Sequence, residues 1–255
     1  MLLSGVAMAD TTLLDMDFTA LTGNSNDNLP AGWATGQWNG ANTPHFNFGD
    51  NGAVVNHPWK QNYLYTEIEL SSQADATITF TLYNQNTENT GNMFYLSSDT
   101  YSLVIGNSYN DYAKNDDGSL KVPVEQCNKP GEIYVGYLDK AVGADSDFVN
   151  FQVGTKTNPT VISGSTDFDA SGTIEYTLTL SGGNMLIEAT GSTGSSWSYS
   201  LEGMENVTFD TLGFIADGSP GTVGVQNVTV TIPEPTTATL SLLALAGLAA
   251  RRRRK

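Results

Sequence analysis

Two histidines and one cysteine are the side chains in this sequence best suited to nucleophilic or general-base chemistry. A Ser-His-Asp triad needs a histidine that is held in place by a carboxylate. His45 and His57 are the available bases, but the chain contains no Gly-x-Ser-x-Gly elbow. Cys127 has no cationic residue nearer than Lys129, so nothing adjacent in sequence favours a reactive thiolate. We therefore expect structural roles for all three residues and assign no catalytic residue.

A pair of glutamates is the nearest candidate for glycoside hydrolysis, which needs two carboxyl groups about 5–10 Å apart. Glu67 and Glu69 lie in the alternating segment Thr66–Leu70, so they share one face of a strand. If the apolar face packs on the core, the glutamates face solvent. The third acid of the Glu-x-Asp-x-x-Glu pattern of jelly-roll glucanases is absent here. We expect a protein that is not an enzyme, with a glycan-active hydrolase or lyase as the alternative.

Aromatic and asparagine side chains are concentrated in a loop-like stretch between residues 33 and 65. Tryptophan and tyrosine rings can stack on sugar faces while asparagine amides hydrogen-bond sugar hydroxyls. The candidate glycan contacts are Trp33, Trp38, Trp59 and Tyr63. The competing interpretation is that these rings seal one end of a hydrophobic core. Trp197 and Tyr199, which share one face of a late strand, present the same two alternatives.

Three close acid pairs in turn-like segments could supply the oxygen ligands that Ca²⁺ selects. They are Asp116 with Asp117, Asp145 with Asp147, and Asp167 with Asp169. None continues into a complete D-x-D-x-D-G loop with its distal glutamate. Solvated turns are therefore the first interpretation and no metal ligand is assigned, with Ca²⁺ on a lectin-like rim as the alternative. A single cysteine also excludes an intramolecular disulfide and a cysteine-based zinc site.

The elements that must position these residues are strands, because the apolar pattern has a period of two through most of the body. The clearest alternating segments are Thr66–Leu70, Ala76–Tyr83 and Ile174–Leu180. Further strands are predicted at Met93–Leu96, Ser102–Ile105, Glu132–Leu138, Phe148–Val153, Asn184–Ala189, Ser196–Leu201, Thr211–Ala216 and Val223–Ile232. Clusters of Asn, Asp, Gly and Pro separate them. We predict one all-β domain, a single antiparallel β-sandwich of the jelly-roll type.

The last strands of this body resemble those of concanavalin A-like (laminin G-like) jelly rolls. The segments that carry the resemblance are Ile174–Leu180, 182–188, Leu212–Ala216 and 224–230. In that family the last strand pairs beside the first, so the resemblance implies that Thr12–Thr19 lies against Val223–Ile232. A galactose-binding-like jelly roll or another sandwich would give a similar pattern.

Three features follow one another at the C-terminus. Pro233, Glu234 and Pro235 come first, and proline breaks strands and helices because it lacks a backbone donor. An uncharged segment rich in leucine and alanine follows at 236–250 and is predicted to be a hydrophobic helix. A basic cluster ends the chain. The residues expected to set membrane insertion and topology are Leu240, Leu242, Leu243, Leu245, Leu248, Arg251, Arg252, Arg253 and Arg254.

This tail predicts temporary attachment to a membrane. Basic residues beside an apolar helix stay in the cytoplasm, so the body should lie on the other side of the inner membrane. Residues 236–250 would span about 22 Å as a helix, less than the ~30 Å hydrocarbon core. Such a short span suits a segment that is held briefly and then cut.

The order of Pro-Glu-Pro, apolar helix and arginine cluster resembles the PEP-CTERM sorting signal of Gram-negative bacteria. The resemblance implies recognition by an exosortase, a membrane transpeptidase-like enzyme, with cleavage near Pro233–Pro235. Residues 1–9 end in Ala-Met-Ala, which fits a signal-peptidase site. The expected organisation is a signal-peptide remnant at 1–9, a β-sandwich domain at 10–232 and a sorting segment at 233–255.

The body of the chain is acidic, whereas its C-terminal end is basic. The chain has 255 residues and a net charge of -16, but its last five residues are all basic. Residues 1–230 carry 6 basic and 26 acidic side chains, a net charge of -20, which excludes a nucleic-acid partner. We expect an exported protein of the cell surface, outer envelope or extracellular matrix, with a non-catalytic sandwich that binds polysaccharide or adheres. A passive structural surface protein is the second alternative.

Overall fold

A computed structural model describes residues 10–37, 45–56, 62–85, 91–98, 101–107, 133–139, 160–165, 168–169, 171–204, 206–218 and 220–233. Over these ranges the chain forms sixteen strands and one 3₁₀ turn, Phe18–Ala20. The strands are β1 (Asp10–Asp17), β2 (Gly23–Asn24), β3 (Trp33–Gln37), β4 (Phe46–Gly49), β5 (Gly52–Val55), β6 (Asn62–Ser71), β7 (Ala76–Asn84), β8 (Gly91–Ser97), β9 (Tyr101–Asn107), β10 (Ile133–Asp139), β11 (Thr160–Ser165), β12 (Gly172–Ser181), β13 (Asn184–Gly191), β14 (Ser196–Leu201), β15 (Thr208–Asp217) and β16 (Val223–Pro233).

The strands form two antiparallel sheets, which confirms the predicted all-β sandwich. One sheet has the order β14-β13-β12-β7-β16-β5-β4-β2, with β1 also paired to β16, and the other has the order β11-β10-β9-β8-β15-β6-β3. The hairpin from β12 to β13 turns at Gly182 and Gly183, whose φ angles are 55° and 83°. Glycine adopts positive φ without steric cost, so this Gly-Gly pair makes the tight turn that the sequence predicts.

The first and last strands pair, as the resemblance to concanavalin A-like jelly rolls implies. β1 runs antiparallel to β16 from Asp10 opposite Pro233 to Asp17 opposite Asn227. The strand ends two residues earlier than expected because Asp17 caps the 3₁₀ turn. The Oδ1 atom of Asp17 accepts hydrogen bonds from the backbone N–H and the hydroxyl of Thr19, at 2.9 and 2.6 Å.

The main core lies between the two sheets and is centred on stacked aromatic rings. Phe80 of β7 lies 4.3 Å from Phe94 of β8 and 4.7 Å from Tyr176 of β12, measured between ring centroids. Phe214 of β15 meets Phe80 edge-on at 5.9 Å. All four side chains are buried. Because Phe80 and Phe94 belong to different sheets, this cluster joins the two layers.

A second apolar cluster lies on the outer face of the seven-stranded sheet. It consists of Tyr63, Met93, Tyr95, Val104 and Ile215, all at most 2% exposed, with Tyr65 packed against it. Each residue follows or precedes a residue of the main core along its strand, so it points away from that core. Both faces of the seven-stranded sheet are therefore apolar and buried in this region.

The two ends of the sandwich differ in what they carry. At the first end, which we call the tail end, β16 finishes at Pro233 opposite Asp10, beside the start of β7. At the second end, the loop end, Asn92 ties the sheets together. Its Nδ2 atom donates to the Asn84 side-chain oxygen and the Gly224 carbonyl, at 3.0 and 2.8 Å. The loop end and the start of the sorting tail therefore lie at opposite ends of the sandwich.

Several sequence-based expectations lie outside the described residues. They include the strand at Phe148–Val153, the hydrophobic helix at 236–250, and Cys127 and His57. Within the ranges given above, no helix is both long and apolar enough to cross a membrane.

Candidate functional site

Two of the predicted glycan contacts are interior residues. Trp33 is 7% exposed and its ring meets Phe18 edge-on at 4.9 Å, while Tyr63 is 1% exposed in the second apolar cluster. Neither ring offers a free face to a sugar. Packing against the main core accounts for Trp33, and packing in the second apolar cluster accounts for Tyr63. Trp38 and Trp59 lie outside the described residues.

The segments that contain Trp38 and Trp59 are attached at the loop end. Segment 38–44 joins β3 to β4 and segment 57–61 joins β5 to β6. Gln37, the last residue of β3, pairs with Asn62, the first residue of β6. On the other sheet, the Asn56 N–H donates to the His45 carbonyl at 2.9 Å. The four chain ends that flank these two segments are therefore fixed in two adjacent pairs.

The glutamate pair considered for hydrolysis is solvent-exposed. Glu67 and Glu69 are both exposed on β6, while Leu70 on the other face is fully buried. The alternation of the sequence therefore predicted the direction of both side chains. As i and i+2 residues, they lie side by side on an exposed face of the strand.

The described residues contain no acidic cluster that marks a Ca²⁺ site. Among them, no three His, Cys, Asp or Glu side chains come together in a group that could hold a metal ion. Asp169 is the one described member of the three acid pairs considered for calcium. Its Oδ1 atom already accepts hydrogen bonds from the backbone N–H and the hydroxyl of Ser171, at 3.0 and 2.6 Å. These contacts form a closed turn within the chain.

The Asp169 turn predicts a pH effect. The Ser171 hydroxyl, and then the Ser171 backbone N–H, hold the pKa of the Asp169 carboxyl below its ordinary value of 3.8. A lowered pKa means that the contribution to stability is present above about pH 4 and is lost as the pH falls through the folded-state pKa. Carboxyl NMR titration should place the Asp169 midpoint below 3.8, and Ser171→Ala should raise it. A midpoint that does not move in this variant would contradict the assigned cause.

A recess on the outer edge of the nine-stranded sheet is lined by residues of β13 and β14. We call it the β14 recess. It has a volume of about 260 Å³ and is lined by Glu188, Ala189, Thr190, Ser196, Trp197 and Ser198. β14 is the terminal strand in the sheet order, so the recess is at an edge. Of the six lining residues, Glu188 alone is charged.

The register of the hairpin places its aromatic and polar residues on opposite faces. Trp197 lies opposite Ala189, on the face that packs towards the core. Ser198 lies opposite Glu188 on the other face. The Tyr199 ring lies 6.2 Å from the Trp197 ring at an interplanar angle of 10°. Both rings are half-buried, so they rest on the core and keep part of their surface in solvent.

The sequence alone predicts that Trp197 and Tyr199 share one face of a strand, but it does not predict where that strand lies in the sheet. Trp197 and Tyr199 alternate with serines, which predicts one aromatic and one hydroxyl face. Nothing in that alternation says that β14 ends a sheet.

The C-terminal tail leaves the folded domain at an accessible point. Pro233 is exposed at the end of β16, and the residues from Glu234 onward lie outside the described residues. Residues 231–255 match the sequence pattern described as the PEP-CTERM protein-sorting motif. The chain carries a PEP-CTERM sorting motif. This motif implies exosortase-dependent export, in agreement with the order of features in the tail.

Solved structures with a similar fold include a lectin and a sugar-bound form of another domain. The VIP36 exoplasmic/lumenal domain, in its Ca²⁺/Man2-bound form, has a TM-score of 0.52 and 8% identity, with 84% of this chain and 88% of that chain covered. Lectin I-B4 from Griffonia simplicifolia has a TM-score of 0.52 and 10% identity, with 85% and 98% covered. A comparison with curated proteins finds no match.

A third similar structure comes from a phage. The CBM2 module of the evolved Dit protein of Lactobacillus casei BL23 phage J-1 has a TM-score of 0.52 and 11% identity, with 90% of this chain and 99% of that chain covered. At such low identities these similarities establish a lectin-like, concanavalin A-like sandwich fold, and they leave the binding residues of this chain to be argued from its own geometry.

Proposed function

We propose that this is an exported envelope or matrix protein whose sandwich binds an extracellular polysaccharide without catalysis. The observation that carries the proposal is the edge strand β14, on which the half-buried rings of Trp197 and Tyr199 share one face while Ser196 and Ser198 lie exposed on the other. Sugar rings have apolar C–H faces and polar rims. A large aromatic ring with nearby hydrogen-bonding groups matches both surfaces.

The geometry of the aromatic pair favours an elongated ligand. The rings of Trp197 and Tyr199 are nearly parallel and follow the direction of β14, so successive residues of one sugar chain could contact both. Ser196 and Ser198 alternate with the two rings along this edge strand, and each can donate or accept a hydrogen bond at the edge. Because residues 1–230 carry a net charge of -20, a neutral polysaccharide is favoured over an anionic one.

The similar solved structures support this proposal in part. One of them is a mannose-bound form of VIP36 and another is a plant lectin, so sandwiches of this type can bind sugars. Trp38 and Trp59, attached to the loop end, remain candidates for a second sugar contact. After exosortase processing, we expect the sandwich to be released or transferred to the cell surface or matrix, where such a ligand occurs.

Replacing Trp197 tests the proposed site. In the processed protein, Trp197→Ala should weaken binding to the preferred polysaccharide about tenfold or more, which corresponds to about 1.4 kcal/mol of lost contact energy. A glycan array, followed by titration with Ca²⁺ and with a chelator, would identify the ligand and measure the loss.

Two matched variants separate binding from folding. Tyr199→Phe keeps the stacked ring and should retain most of the affinity, whereas Thr79→Ala alters an exposed residue away from the recess and should change nothing. Absence of binding to every glycan tested, with or without Ca²⁺, would refute glycan binding and favour a passive structural role. Equal binding by the parent and Trp197→Ala proteins would exclude this recess.

A further inference from the structure

The sorting motif begins inside the folded sheet. The motif covers residues 231–255, and β16 runs from Val223 to Pro233, so residues 231–233 belong to both. Thr231 lies opposite Thr12 on β1 and opposite Thr77 on β7. Within the described chain, therefore, no linker separates the sandwich from the start of the motif.

A processing enzyme has to compete with the sheet for this segment. Peptidases and transpeptidases bind their substrates as extended chains, commonly through the same backbone groups that pair strands. Cleavage near Pro-Glu-Pro requires contacts on the N-terminal side of the cut bond, where residues 231–233 are strand-paired. A paired segment becomes available to an enzyme only when it opens locally.

The two neighbours of β16 hold this segment with different strength. β7 is an interior strand, paired to β12 along its other edge. The register of β1 shifts between Thr12 and Leu14, and the bulged residue, Leu13, is 44% exposed. Residues 10–12 are exposed and are separated from the rest of β1 by this irregularity. The start of β1 is therefore the side that opens most readily.

We infer that residues 10–12 of β1 cover the start of the sorting motif, and that their release from β16 at the Leu13 bulge is the step that admits the exosortase. Residues 10–12, which we call the cover, thus act as a gate that belongs to the substrate and not to the enzyme. Residues 10–12 compete with the enzyme for the backbone groups of residues 231–233. This inference rests on the sorting motif and is independent of glycan binding.

A disulfide across the cover tests the gate. Opposed residues of antiparallel strands have Cα atoms about 4.5–5.5 Å apart, within the range that a disulfide can bridge. In a Cys127→Ser background, Thr12→Cys with Thr231→Cys should link the cover to the motif. In an exosortase-bearing host, the linked full-length chain should be processed roughly tenfold more slowly, and reduction should restore the rate.

The matched control places the same kind of link beyond the bulge. Asp15 lies opposite Thr229, so Asp15→Cys with Thr229→Cys pins β1 but leaves residues 10–12 able to open. This variant should be processed at the parental rate. Thr231→Cys alone should also be processed normally, which shows that the motif tolerates the substitution.

Three outcomes would overturn the inference. One is processing of the Thr12–Thr231 linked chain at the parental rate, with the disulfide verified by a gel shift. Another is an equal block in the Asp15–Thr229 control or in the single Thr231→Cys variant. The third comes from hydrogen exchange on the full-length chain, where amides at 231–232 should exchange faster than those at 228–230. Equal protection would mean that the end does not open separately.

Discussion

Replacing Pro233, Glu234 and Pro235 together with alanine is expected to abolish processing and leave a membrane-held precursor. These three residues form the Pro-Glu-Pro element of the sorting motif that covers 231–255. Alanine removes the carboxylate and restores two backbone donors, so the chain beyond β16 would lose its recognition features and its fixed φ angles. Immunoblotting of membrane and extracellular fractions would measure the ratio of precursor to product.

The control for this variant is an alanine placed just outside the element. Thr236→Ala should be processed like the parent, and both variants should have the parental unfolding temperature because Pro233 lies exposed at the end of its sheet. Unchanged processing of the triple variant would contradict the assignment of Pro-Glu-Pro as the sorting determinant. A precursor that accumulates because the sandwich misfolds would show a lowered unfolding temperature instead.

Long alternating segments carried most of the fold prediction. Ala76–Tyr83 and Ile174–Leu180 alternate without interruption, and both lie in the middle of the nine-stranded sheet as β7 and β12. A strand that buries one face alternates apolar and polar residues, so its buried face can be identified from the sequence. The pairing of β1 with β16 came from the resemblance to concanavalin A-like jelly rolls, because the partner of a strand over 200 residues away leaves no mark on local periodicity.

The stretch from 33 to 65 was the least predictable part of the fold. It reads as a loop rich in asparagine and aromatic residues, yet it contains the strands β3 to β5, which are four to five residues long, and the first residues of β6. Strands this short hold too few residues for alternation to be visible, and their pairing partners set their conformation. Trp33, for example, is strand-paired to Thr66.

The candidate site was predictable in composition but not in place. The sequence identified aromatic residues as sugar contacts, and two of the four chosen, Trp33 and Tyr63, are buried. Tyr63 lies on a strand with apolar residues on both faces, so alternation could not separate core from surface. Trp197 was weighed between the same two roles, and the order of strands in the sheet makes it the better candidate.

The second large effect is expected at the centre of the core, where Phe80→Ala should lower the free energy of unfolding by about 3–5 kcal/mol. Phe80 is 1% exposed and contacts rings in both sheets, so its removal leaves a cavity that neither sheet can close alone. The midpoint of thermal unfolding should fall by roughly 10 °C for a domain of this size. Urea unfolding of the processed protein would measure the free-energy change.

The neighbouring residue on the same strand supplies the control for that measurement. Thr79 precedes Phe80 and is exposed on the outer face of the nine-stranded sheet, so Thr79→Ala should change the free energy of unfolding by less than about 0.5 kcal/mol. The contrast tests the placement of β7, because shifting the strand by one residue would exchange the two effects. A loss of similar size in both variants would contradict the core described here, since only one of two consecutive strand residues can face between the sheets.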